Sequence, residues 1–231
     1  MQPFKIFIAF GLVTAAFAQS KIKIMPLGDS ITEITCGRAL VWDMIVRENL
    51  ADKVQFVGSM TNNPQNCRAQ SGSFDLHHEG HSGWLSINIA NQYLQGWLAS
   101  TKPDIVQFML GTNDVAQART TNDIIASYTN MVGLMRASNP RMKILVDRLI
   151  PLSFNGGGID TLNQRIPSWA SEQNSTISPI AIADCSTSAG FTTAMLRDGV
   201  HPNEQGDQVI ARQVGPLLIR YIKDLVVEHG L

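Results

Sequence analysis

Apolar residues recur along this chain at two alternating periods. The segment KIKIMPL over 21–27 predicts a strand that ends at Gly28, and RALVWDMIVRENL over 38–50 has its apolar residues at helical spacing. KVQFVGS over 53–59 predicts a second strand, and WLSINIANQYLQGWLAS over 84–100 a helix. The same alternation continues with strand 104–110, helix 123–138, strand 143–150, helix 162–173 and strand 177–184. Beyond Asn203 an apolar stripe of Ile210, Val214, Leu217, Leu218, Tyr221, Ile222 and Leu225 predicts a final helical region, which Pro216 should kink or split. Gly156-Gly157-Gly158 is expected to be a flexible loop. Strands separated by helices imply right-handed crossovers and a parallel sheet covered on both faces. With no repeat, low-complexity tract or linker in view, the expectation is one α/β domain: a three-layer α/β/α sandwich around a central parallel sheet.

The first twenty residues stand outside that alternation. MQPFKIFIAFGLVTAAFAQS carries a lysine near its start, an apolar run and then Ala16-Phe17-Ala18, a small-x-small cleavage pattern. Residues 1–18 therefore read as a secretory signal peptide, residues 19–231 as the single domain, and the mature protein as secreted and extracellular. No later segment approaches the ~20 apolar residues that a membrane-spanning helix needs, so no membrane partner is expected.

Composition narrows the partners further. The formal net charge is −1 and the basic residues are scattered, which gives no electrostatic footprint for nucleic acid. Of the three cysteines, Cys36 and Cys67 lie in loop-like stretches and are the expected disulfide, leaving Cys185 as a buried thiol. Asn174-Ser175-Thr176 is a glycosylation sequon that suits a secreted surface loop.

In open parallel sheets, sites gather at the carboxyl ends of the strands. Three polar clusters fall there: Gly28-Asp29-Ser30, Gly111-Thr112-Asn113-Asp114, and Asp198-Gly199-Val200-His201 before the last helix. A fourth, HEGHSGW over 78–84, precedes a crossover helix. Taken singly, each is ordinary loop chemistry: Ser30 a helix N-cap, Asn113 and Asp114 turn residues, Asp198 and His201 a helix-entry ion pair. His78, Glu79 and His81 lack the spacing of a helical zinc motif, and no metal site is read there.

Together, and in this order, the four clusters resemble the blocks of the SGNH (GDSL) hydrolase family: G-D-S, a glycine in the second block, G-x-N-D and D-x-x-H. KIMPLGDSIT and HEGHSGW look most like the acetylxylan esterases of carbohydrate esterase family 3. Ile34 stands where many relatives have a glycine, which touches the shape of the adjoining cleft loop. The resemblance implies the SGNH hydrolase fold and a serine ester hydrolase. Ser30 would be the nucleophile and His201 the general base, oriented by Asp198 one loop-turn earlier. The oxyanion donors would be the backbone N–H groups of Ser30 and Gly83 and the side-chain amide of Asn113. Gly83 would allow close backbone approach. Pro202 would stiffen the loop exit and start the following helix. Thr32 stands where a G-x-S-x-G enzyme has its second glycine, so no nucleophile elbow is present.

A serine mechanism requires no cofactor. The substrate that the resemblance implies is an acetylated plant cell-wall polysaccharide, xylan first, acted on by a monomer. Trp84 is a candidate sugar or acyl contact, or equally a core residue. The rivals are another ester hydrolase of this fold, acting on lysophospholipids, thioesters or a glycan such as pectin, and a glycan-binding module without catalysis.

Overall fold

The computed structural model describes residues 21–231; the expected signal peptide at 1–18 lies outside them. Strand β1 (Ile22–Gly28) leads to the one-turn helix α1 (Ser30–Glu33), helix α2 (Gly37–Arg47), β2 (Val54–Phe56) and the short β3 (Glu79–Gly80). Helix α3 (Ser86–Asn88) runs through a π turn (Ile89–Tyr93) into α4 (Leu94–Thr101). Then follow β4 (Ile105–Met109), α5 (Thr112–Ala116), α6 (Thr121–Ser138), β5 (Lys143–Arg148), α7 (Gly156–Gln173), β6 (Ile180–Asp184) and α8 (Glu204–His229).

All strands pair in parallel in the order β2-β1-β4-β5-β6, with β3 added to the end of β1 beside the same edge as β2. The chain leaves β1 toward β2 and returns to the other side of it as β4. That reversal opens a crevice beyond the carboxyl ends of β1 and β4, where α/β folds bind ligands.

The two faces of the sheet bury different chemistry. On one, Phe108 of β4 meets Tyr128 of α6 edge-on at 5.2 Å between centroids, and Tyr128 meets Trp169 of α7 at 5.3 Å. These three rings are fully buried and tie α6 and α7 to β4. On the other face α2 and α8 pack on each other and cover β1 and β5. A cavity of about 50 Å³ lies beneath them, lined by Ile24, Val41, Phe56, Ile210, Val214 and Leu218 together with Gln107 and Asp147.

Asp147 is fully buried on β5; Gln107 donates to its Oδ2, while its Oδ1 has no partner among the described residues. Burial raises its carboxyl well above the ordinary range. Because the folded state holds that proton more tightly than the unfolded chain does, stability is lost as pH rises from the ordinary carboxylate range upward. Asp147→Asn is expected to stabilise the protein by about 1–3 kcal/mol at neutral pH. The gain should vanish near pH 4, as urea midpoints at the two pH values would show.

The structure corrects three local expectations. Gly156, Gly157 and Gly158 form the first turn of α7 rather than a loop. Gly158 packs so closely on Val115 that an added Cβ would lie 2.7 Å from its Cγ1. Pro216 does not split α8, which is continuous over Glu204–His229. Pro216 and Arg212 are both exposed, so the Arg212 carbonyl that the proline leaves unbonded faces water. Pro202 does not start α8 either: it pairs with Leu196 in an antiparallel bridge, and Asn203 caps the helix by accepting from the Gln205 and Gly206 N–H groups.

Candidate active site

Ser30 lies at the carboxyl end of β1 as the first residue of α1. The helix cap is its neighbour: Asp29 Oδ1 accepts from the Ile31 N–H at 2.9 Å, which leaves the Ser30 side chain out of capping. A single turn has little macrodipole, so what α1 offers beside Ser30 is a local N–H group.

The C-terminal loop approaches from α8. Arg197 N–H donates to the His201 carbonyl at 2.9 Å and closes a tight loop around Gly199. Within it Asp198 Oδ1 accepts from the Val200 and His201 N–H groups at 3.1 and 2.8 Å, and Oδ2 lies 2.8 Å from His201 Nδ1. His201 Nε2 lies 2.8 Å from Ser30 Oγ. With Nδ1–H donating to the carboxylate, Nε2 is the acceptor for the serine hydroxyl. What burial Asp198 has works to raise its pKa; the bonds from the His201 backbone and ring and from Val200 override it and draw it down to about 2. The side chain is 48% exposed, so this loop stands at the surface.

Three groups singled out from the sequence are the possible anion donors. Among the described residues nothing accepts from the backbone N–H of Ser30 or of Gly83. Gly83 has φ +81, a left-handed conformation that side-chain-bearing residues avoid, and a Cβ there would meet nothing within 4 Å. Its glycine is set by backbone conformation and not by crowding. Asn113, in the first turn of α5 after β4, donates through Nδ2 to the Trp84 carbonyl at 3.1 Å and to Asp29 Oδ2 at 3.3 Å. Burial, with Asp114 nearby adding to it, raises the Asp29 carboxyl to about 7 against the Ile31 bond that lowers it. Asp114 accepts from the Ser86 N–H and hydroxyl at 2.8 and 2.9 Å and so anchors the start of α3.

The remaining residues singled out from the sequence have these places. Cys36 and Cys67 form a disulfide that fastens the start of α2 to the loop around 62–70, and Cys185 is a fully buried free thiol. Trp84 joins a half-exposed aromatic cluster, 4.5 Å from His81 and 4.4 Å from Tyr93. Asn174 is exposed just after α7. His78 accepts from the Gly80 N–H through Nδ1 and donates through Nε2 to the Asn62 carbonyl. His81 Nε2 lies 2.7 Å from Glu79 Oε1. All three polar side chains of HEGH are thus held by protein groups.

Sequence reading passed over Glu33 and considered Glu79 only as a metal ligand. Glu33 stands three residues after Ser30 and takes bonds from Ser82 and Asn62. Its place in the same helical turn as the serine was the available signal.

Comparison with known proteins identifies the family. The GDSL-like lipase/acylhydrolase family matches residues 27–209. A structure of an acetyl esterase mutant, serine replaced by alanine and with an acetate ion, is 55% identical with a TM-score of 0.85, covering 88% of this chain and 99% of that one. A carbohydrate esterase family 3 protein from Talaromyces cellulolyticus is 56% identical over the same shares with a TM-score of 0.85. A multidomain esterase of Ruminococcus flavefaciens is 27% identical over 213 residues, which are 82% of this chain and 27% of that protein's length. This chain thus spans about a quarter of that relative.

Proposed function

As this chain belongs to the GDSL-like lipase/acylhydrolase family and is a carboxylic ester hydrolase of the SGNH fold, we propose that it removes acetyl groups from acetylated xylan through a serine acyl-enzyme. The observation that carries the mechanism is the unbroken chain Ser30 Oγ–His201–Asp198, with both links at 2.8 Å. Ser30 Oγ attacks the acetyl carbon while its proton passes to His201 Nε2, and Asp198 stabilises the imidazolium. The tetrahedral oxyanion takes the free N–H groups of Ser30 and Gly83. Asn113 becomes the third donor by turning one N–H from its long contact with Asp29 toward the developing charge. Collapse expels the sugar hydroxyl, protonated by His201. A water then gives its proton to His201 as it attacks the acyl-enzyme; as this second intermediate collapses, the acyl C–Oγ bond breaks, His201 returns the proton to Ser30 Oγ, and acetate leaves.

Likeness to an acetyl esterase and to a carbohydrate esterase supports the acetyl group and a sugar leaving group. Xylan itself, secretion, a monomeric state and glycosylation at Asn174 belong to the same proposal. Trp84 is its candidate sugar contact, since part of its ring cluster is open to solvent beside Gly83. The test is acetate release from acetylated xylan compared with hydrolysis of acetyl and long-chain p-nitrophenyl esters. Release from xylan with preference for the acetyl ester supports the proposal. Preference for long acyl chains with no release from xylan would move the substrate to lysophospholipids or thioesters. Absence of all three activities would favour a non-catalytic glycan-binding module.

Asn113→Ala is expected to lower kcat by about 10²–10³, the usual cost of one oxyanion donor. Retention of full turnover would remove Asn113 from this role.

A further inference from the structure

The two backbone donors lie on different segments, Ser30 on α1 and Gly83 on an exposed turn after β3. An oxyanion hole assembled from two segments works only if something fixes the distance between them. His81, just before the turn, is well held: its N–H donates to the Gly28 carbonyl at 3.0 Å, and its ring stacks on Trp97 at 4.6 Å. Gly83 itself makes no hydrogen bond to the described residues.

Ser82, between them, is held by one side chain. Glu33 ends the same turn of helix that Ser30 begins. Its Oε2 accepts from the Ser82 backbone N–H at 2.7 Å and from the Ser82 hydroxyl at 2.5 Å. Its Oε1 accepts from the Asn62 amide at 2.6 Å, which stops the carboxylate from rotating away. β3 and α1 also touch directly, since a Cβ on Gly80 would lie 2.7 Å from the Glu33 nitrogen. The carboxylate is thus a strut from the nucleophile's helix to the residue before Gly83.

We propose that Glu33 is a positioning residue for ester hydrolysis, setting the Gly83 N–H against Ser30 so that both donate to one oxyanion. The proposal rests on the reading of Ser30 as nucleophile. It makes a specific demand: losing the strut should weaken transition-state stabilisation and leave ground-state binding of a small ester unchanged. A misplacement of about 1 Å can cost on the order of 10²-fold in rate.

The experiment compares the parent, Glu33→Ala and Glu33→Gln on p-nitrophenyl acetate, with Tm and amide hydrogen exchange at Ser82 and Gly83. Glu33→Ala should lower kcat by about 10–100-fold with KM within about twofold, and speed exchange at both amides. Glu33→Gln should recover most of the rate, because its Oε1 still accepts from Ser82 and the Asn62 amide can turn its oxygen toward Nε2–H. A Glu33→Ala enzyme with parental kcat would overturn the proposal, as would a Gln variant as slow as Ala. If Glu33→Ala does not fold, Ser82→Ala decides: a few-fold loss in kcat at constant KM supports the strut, and parental kcat rejects it. Hydrolysis that survives Ser30→Ala would instead bring down the serine reading and this proposal with it.

Discussion

Ser30→Ala is expected to abolish ester hydrolysis, with a fall in kcat of about 10⁴–10⁶, and to leave the fold intact. Among the described residues the Ser30 hydroxyl is the one side-chain group hydrogen-bonded to His201 Nε2, at 2.8 Å, and so the one placed to give it a proton. Ser30 Oγ has no other hydrogen-bond partner among the described residues, and the residue is 7% exposed. Removing it therefore deletes one bond and one small atom. The cap on α1 comes from Asp29, so the helix keeps its N-terminus. Initial rates on p-nitrophenyl acetate, taken with a melting curve, check both halves of the statement. A folded variant that keeps more than about 1% of the parental rate is incompatible with nucleophilic catalysis by this serine.

Asp198→Asn is expected to cost about 10³–10⁴ in kcat. The amide cannot accept from His201 Nδ1–H and satisfy both backbone N–H groups of the loop as the carboxylate does. If its NH₂ faces Nδ1, the imidazole must carry its proton on Nε2, where it confronts the Ser30 hydroxyl and cannot receive a proton from it. The second part of the loss is the missing negative charge beside the imidazolium. Because the Asp198 side chain is 48% exposed, water and salt screen that charge, which holds the effect at or below that of a buried acid. With its pKa near 2, Asp198 is ionised across the working pH range. Whatever stability its depressed pKa confers is present above the ordinary carboxylate range and is lost as pH falls toward 2. The kcat of Asp198→Asn should accordingly stay low at every pH from 5 to 9. Recovery to the parental rate at high pH would overturn that expectation.

Much of this site was legible because parallel topology brings strand ends together. Three polar clusters read as following strands, or preceding the last helix, had to share one edge of the sheet, and Ser30, Asn113 and the Asp198–His201 loop do. The disulfide was legible for a simpler reason: Cys36 and Cys67 lie outside regular elements, and the one remaining thiol is fully buried. What failed was local reading without tertiary context. A glycine triplet has low helix propensity, yet Asn155 Nδ2 donates to the Val115 carbonyl and Gly158 fills a space that only a hydrogen could occupy, so α7 begins there. Glu33 left no periodic trace because its partners Asn62 and Ser82 are 29 and 49 residues away. Asp147 was hidden inside an apolar run, where spacing shows a strand but not which face holds a carboxyl.

The Ser30–His201 hydrogen bond spans 171 residues, from the end of the first strand to the loop before the last helix. On the proposed mechanism, a chain that has emerged only as far as α7 would hold Ser30 without its partner His201. The proposed base would arrive only when α8 docks on α2, which closes a long loop. On the proposed mechanism, turnover would therefore report whether the end of β1 and the loop before α8 have met.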